Sequence, residues 1–195
     1  MGVGLQRAAK IIGTLAREWR VLSAGSEGFL TGGRGGLEDQ QVVWGEMDSF
    51  DLKHREAWKD LMRPKTIGLI MKSIKADYKF PMTTPDTISA YHKLSIRPEA
   101  THTSLILDCV ILSHRHRRAA ARTFEDVAIY DYREAKKTVL PSFMLDALQT
   151  TWQKQEEGAD WARKKIWGLL REVEGLEKET WDRENAVEDL GAARK

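Results

Sequence analysis

At 195 residues, with 42% hydrophobic and 31% charged side chains, the chain has room for one core plus appendages and is too balanced for a disordered tail. With 31 basic against 29 acidic side chains the formal charge is only +2, which excludes a global field for nucleic acid or an acidic membrane, so any anion site must be local. The lone Cys109, inside the apolar run Leu105 to Leu112, excludes an internal disulfide and reads as buried packing in a reduced compartment.

Residues 1–22 carry Arg7, Lys10, Arg17 and Arg20 against a single acid, Glu18, with Leu5, Ile11, Ile12, Leu15, Trp19 and Leu22 at roughly helical spacing. That pattern resembles a mitochondrial presequence, and equally suits a basic amphipathic helix of a cytoplasmic protein. No apolar run reaches the ~20 residues needed to span a bilayer, so a soluble protein is expected. Ser23 to Asp39, with Gly32-Gly33-Arg34-Gly35-Gly36, reads as a flexible connector, because the Lys-Ser/Thr ending of a phosphate loop is absent.

Gln41 to Glu46 reads as a short strand, and Met47 to Asp51 as a turn and helix cap. Leu52 to Met62 follows as a helix with Leu52, Ala57, Trp58, Leu61 and Met62 largely on one side, stopped by Pro64. Beyond Pro64 the period changes to two. Ile70, Ile74, Ala76, Tyr78 and Phe80 are expected on one side of a strand, with Ser73, Lys75, Asp77 and Lys79 on the other. After the turn Pro81 to Asp86, Thr87 to Leu94 alternates again, with Ile88, Ala90, His92 and Leu94 together. Thr103 to Ser113 is apolar on both sides, as in a covered central strand, and Ala119 to Tyr132 resumes strand character. Short turns between successive strands predict antiparallel pairing, with the preceding helix covering the apolar face of an α+β domain.

From Ser142 a seven-residue spacing picks out Leu145, Trp152, Ala159, Ile166 and Val173, and a second picks out Leu148, Gln155, Ala162, Leu169 and Leu176. A long helix is predicted, packing on itself, a partner or the domain, although Gly158, Gly168 and Gly175 each weaken it by roughly 1 kcal/mol relative to alanine. Trp152, Trp161, Trp167 and Trp181 fall in this region, where packing accounts for them better than base stacking, and no nucleic-acid partner is expected.

The segment Val43-Trp44-Gly45-Glu46-Met47-Asp48-Ser49-Phe50 resembles the opening motif of the 4-hydroxybenzoyl-CoA thioesterase-like hotdog proteins, in which a strand ends in an aromatic-glycine-acid-x-aspartate turn before a central helix. Thr66 to Pro81, Thr87 to Leu94 and the segment ending Glu125-Asp126-Val127-Ala128-Ile129-Tyr130-Asp131-Tyr132 look like the successive strands of that fold, especially in fungal thioesterase-like proteins. The resemblance implies an α+β hotdog domain at 39–150, between a basic helix and glycine-rich loop at 1–38 and a charged helix at 151–195. It also implies a homodimer or homotetramer, with sites at the interface. One departure stands out. Where the family continues with glycine, histidine, valine and paired asparagines, Phe50 here runs directly into Asp51-Leu52-Lys53-His54, so part of the central-helix segment is missing.

A thioester carbonyl needs an activated water or carboxylate nucleophile on one side and oxyanion donors on the other. By motif position Asp48 resembles the family's catalytic aspartate, and the amides around Leu52, Lys53 and His54 would polarise the carbonyl through the helix N-terminus. Capping of the helix by Asp48 or Asp51 is the competing role, worth ~1 kcal/mol without any substrate. Glu46 takes a minor part, and His54 lacks a second catalytic partner at a diagnostic spacing. The phosphates of CoA call for cations, and Lys72, Lys75, Arg115, Arg117 and Arg118 are the candidates, with ordinary solvated charge as the alternative. His114 and His116 would share one side of a strand, but two ligands do not define zinc; no metal and no cofactor are expected. The expected function is an acyl-CoA thioesterase-like hydrolase. The alternative is a noncatalytic hotdog scaffold that binds a protein partner through residues 142–190.

Overall fold

The computed structural model describes residues 2–31, 54–180 and 182; the strand expected at Gln41 to Glu46 and the start of the helix that follows lie outside them. The described order is α1 (Gly2–Ser26), α2 (Arg55–Asp60), β1 (Ile67–Tyr78), β2 (Ile88–Leu94), β3 (Ser104–Ser113), β4 (Arg118–Asp131), β5 (Lys136–Lys137) and α3 (Ser142–Glu179). The sheet is antiparallel with strand order β1-β4-β3-β2, and the two-residue β5 pairs with β4. This is the expected α+β architecture, and β3, apolar on both sides, lies inside the sheet. No helix among the described residues is long and apolar enough to cross a membrane.

The two faces of the sheet carry separate cores. On the first, Leu105, Val127 and Ile129 pack with Leu61, Leu140 and Met144, and with Trp58, Phe143 and Leu148 around them. This face is covered by α2 and the first turns of α3. On the second, Tyr91, Val110 and Leu112 pack with Trp19, Ala24 and Phe29 from α1 and the residues after it. Each fully buried aliphatic side chain contributes about 1.5–3 kcal/mol by leaving water, so both faces need their helices.

Three expectations change. Ile70 and Ile74 do not share a face: Ile70 pairs with Ala128 and Ile74 with Glu125, and the register shifts between Met71 and Ser73. A bulge there adds one residue to β1, which turns every later side chain over. The N-terminal helix continues past Leu22 to Ser26, into what the glycine content suggested was loop. Its last turn lies against α3, where a Cβ at Gly25 would sit 3.4 Å from Cβ of Ala162, so small residues let the helices approach. The short helix ends at Asp60, with Leu61 and Met62 in the turn that follows.

The heptad seams of α3 find their partner inside the chain. α1 and α3 run antiparallel, with ion pairs Arg7–Glu179 at 2.7 Å and Glu18–Lys165 along the crossing. Gln155, on the second seam, reaches the sheet. Its Oε1 accepts the Leu94 N–H at 2.9 Å and its Nε2 donates to the Leu94 carbonyl at 3.2 Å. Because the next residue, Ser95, donates its N–H inward to Ile106, the Leu94 groups face outward, and α3 closes that stretch of the β2 edge.

Candidate functional site

Asp48, Leu52 and Lys53, together with Glu46, lie outside the described residues. His54 stands at the N-cap of α2, makes no side-chain cap, and stacks on Phe143 with ring centroids 5.6 Å apart. Trp58, one turn later, meets the same Phe143 edge-on at 5.2 Å, so this end of α2 is fixed against α3.

The five candidate phosphate-binding cations fall into two groups. Lys72, in the β1 bulge, is paired with Asp126, and its ammonium holds the Asp126 carboxyl below the usual carboxylate range. Lys75 lies opposite Phe124 on the face that α1 partly covers. Arg115 and Arg117 lie in the tight β3–β4 connection and Arg118 opens β4; Asp86 accepts the Arg115 N–H at 3.0 Å and Arg117 takes a left-handed φ of 49°. Arg118 lies over the Phe80 ring at 4.2 Å, with His116 against the same ring at 4.9 Å. Phe124 and Arg118 are six positions apart along β4, about 20 Å of strand, so one phosphate group cannot meet both sets. His114 and His116 also diverge: His114 lies 2.7 Å from Ser89 Oγ and packs edge-on to Trp19, whereas His116 packs against the Phe80 ring. No group of three or more His, Cys, Asp or Glu side chains positioned for a metal occurs among the described residues.

The first face of the sheet carries a polar cluster that the sequence did not single out. Beyond the packed core, one row across the strands is His92, Cys109, Thr123 and Ala76, and the neighbouring row is Leu94, Leu107, Glu125 and Ile74. Glu125 is only 8% exposed. Its Oε1 accepts a hydrogen bond from Thr123 Oγ1 at 2.7 Å and lies 3.7 Å from His92 Nε2. The second distance is a charge contact, longer than a hydrogen bond. Burial, and then the nearby Glu125 carboxylate, push the Cys109 thiol up to about 11, so it stays protonated at neutral pH and is no nucleophile. The His92 ring, by contrast, is half open to solvent.

Around this cluster the same face carries apolar side chains that are exposed among the described residues. Ile74 is 57%, Tyr78 77% and Ile88 53% exposed. An exposed imidazole backed by a buried carboxylate, on an apolar floor, can hold and move a proton beside a hydrophobic ligand. The alternation of β2 already places His92 with Ile88 and Ala90; what sequence spacing lacks is the pairing that delivers Glu125. A separate concavity of about 220 Å³, lined by Leu94, Ile96, Pro98, His102, Leu105 and Ile106 among others, lies at the far end of β2 and β3.

A family model described as the thioesterase-like superfamily matches residues 41–148. No curated protein matches the chain. Among solved structures, the chain is similar to a thioesterase from Thermus thermophilus complexed with coenzyme A and zinc, at 12% identity and a TM-score of 0.38 over 44% of this chain and 60% of that one. It is also similar to a 1,4-dihydroxy-2-naphthoyl-CoA thioesterase from Synechocystis, at 17% identity and a TM-score of 0.40 over 46% of this chain and 64% of that one. A Staphylococcus aureus protein in complex with CoA aligns at 12% identity and a TM-score of 0.38, covering 51% of this chain and 58% of that one. The chain thus spans about three fifths of the length of these structures.

Proposed function

Since this chain belongs to the thioesterase-like superfamily, we propose that it hydrolyses the thioester of a fatty or aromatic acyl-CoA, with Asp48 as base or nucleophile and the amides of Leu52, Lys53 and His54, ahead of α2, polarising the carbonyl. The family match over residues 41–148 carries the reading, because it includes the Asp48 turn and the whole sheet. The apolar floor formed by Ile74, Tyr78 and Ile88 supports it, since an acyl chain gains about 0.8 kcal/mol for each CH₂ it buries. The phosphates of CoA belong with Arg115, Arg117 and Arg118, the denser of the two cationic groups. A homodimer or homotetramer is part of the proposal, as is a mitochondrial location if residues 1–22 act as an address and a cytoplasmic one if they serve only as α1. The test is release of CoA thiol from a panel of acyl-CoA esters by the full chain and its Asp48→Asn variant: turnover abolished in the variant is expected, and no turnover by either protein overturns the reading.

A noncatalytic scaffold is the second reading, and one observation favours it. Leu15 on α1 and Trp167 and Leu170 on α3 are exposed at about the same level of the helix pair, where a protein partner would bury them. Under this reading the panel shows no turnover, and replacing Trp167 and Leu170 by serine abolishes partner binding.

A further inference from the structure

We infer that His92 is a catalytic general base of the thioester hydrolysis and that Glu125 is its positioning residue. This rests on the proposed thioester hydrolysis and reassigns the base role there given to Asp48 to a proton acceptor on the exposed face of the sheet. Three observations combine. The imidazole is half exposed while its Nε2 faces Glu125 at 3.7 Å, so Nδ1 is the nitrogen assigned to the ligand side. The carboxylate behind it is buried and held by Thr123 at 2.7 Å, so it cannot swing out to meet a ligand itself. Exposed Ile74, Tyr78 and Ile88 flank the pair on the same face, where an acyl chain would lie.

The titratable side chains facing His92 across this part of the sheet are Cys109 in its own row, Glu125 in the next, and Tyr78 on β1. Lys93 and Asp108 point to the opposite face, where they pair with each other at 3.9 Å. Gln155, the α3 side chain bonded to Leu94, is neutral. Among the described residues, Glu125 is therefore the carboxylate nearest the ring.

The step balances. His92 Nδ1 removes a proton from water as the water oxygen bonds to the thioester carbonyl carbon and the carbonyl π pair moves to oxygen. The tetrahedral intermediate then re-forms the C=O bond and breaks the C–S bond, and the imidazolium returns its proton to the departing thiolate. One water is consumed, and a carboxylic acid and a thiol are released. Cys109, protonated and buried, takes no part.

The experiment uses the full chain with the acyl-CoA ester it turns over fastest, comparing wild type with His92→Gln and Glu125→Gln, and with His114→Gln on the other face as a control. His92→Gln is expected to lower kcat about 100-fold or more while KM changes little, the range for a general base. Glu125→Gln is expected to lower kcat about 10-fold while KM changes little, with Glu125→Asp recovering part of the loss; a merely structural role would change kcat and KM together. Wild-type turnover with His92→Gln within threefold of it overturns this inference and leaves the thioesterase reading standing. Absence of turnover by wild type on every ester overturns both. If His92→Gln fails to fold, diethyl pyrocarbonate modification of wild type replaces it: loss of turnover in step with His92 modification, slowed by a thioether acyl-CoA analogue, is expected, and full turnover by protein modified at His92 refutes the inference.

Discussion

Replacing Gln155 by methionine isolates the contribution of the bridge between α3 and the sheet edge. The two side chains have similar length and helix propensity, so the change removes hydrogen bonds while keeping volume and helix. It strands the Leu94 N–H and carbonyl, now met at 2.9 and 3.2 Å, in a residue that is 5% exposed. Each buried group left without a partner costs about 1–3 kcal/mol, so a loss of roughly 2–6 kcal/mol is expected. For a domain of this size that lowers Tm by roughly 4–24 °C, readable by chemical and thermal denaturation. Gln155→Glu sharpens the test. Its carboxylate still accepts the N–H, but it confronts the carbonyl and is buried, so its folded pKa lies above the ordinary ~4.3. Below that unfolded value the acid is neutral in both states and can donate to the carbonyl; stability falls as pH rises from there through the folded pKa. A loss under about 0.5 kcal/mol for Gln155→Met, with no pH trend for Gln155→Glu, would show that water satisfies this edge and that the bridge is incidental.

Two other substitutions probe close packing and charge. Gly68→Ala is expected to destabilise by about 1–3 kcal/mol in urea denaturation, because its Cβ would meet the Tyr132 ring at 2.7 Å and the Leu61 carbonyl at 3.1 Å; unchanged stability would mean that the ring moves freely. Arg133 bonds Asp131 through both Nε and Nη2 and, with its own backbone N–H, holds that carboxyl down to about 2. The stabilisation is full above the unfolded value of ~3.9 and is lost as pH falls toward about 2. In Arg133→Gln, NMR titration of the Asp131 carboxyl carbon should show its pKa rising toward 3.9.

Local pattern located the strands well, because β2, β3 and β4 alternate or are apolar throughout over lengths that no helix would share. It failed at Ile70 and Ile74, since nothing in Ile70-Met71-Lys72-Ser73-Ile74 announces an extra residue in the pairing. The seams of α3 were legible, but the contact that Gln155 makes from one of them was not. Nor was their occupant, because α1 lies at the opposite end of the chain. The site divides the same way. Asp48 is legible as a motif, whereas the contact of His92 with Glu125 exists only because β2, β3 and β4 bring distant positions into adjacent rows. The candidate cations looked like one set by composition, and strand geometry separated Lys72 and Lys75 from the arginines at the β3–β4 connection.

The path of α3 has a consequence for how the molecule comes apart. Over its 38 residues, about 57 Å, the helix contributes Met144 to one core, closes the β2 edge at Gln155, and meets α1, which walls the other core, at Ala162. Neither core can be opened widely without displacing it, so the two should melt in a single transition. Amide hydrogens of Ile129 and Leu112, whose side chains lie in different cores, should then exchange at nearly the same rate under conditions where only global opening exposes them.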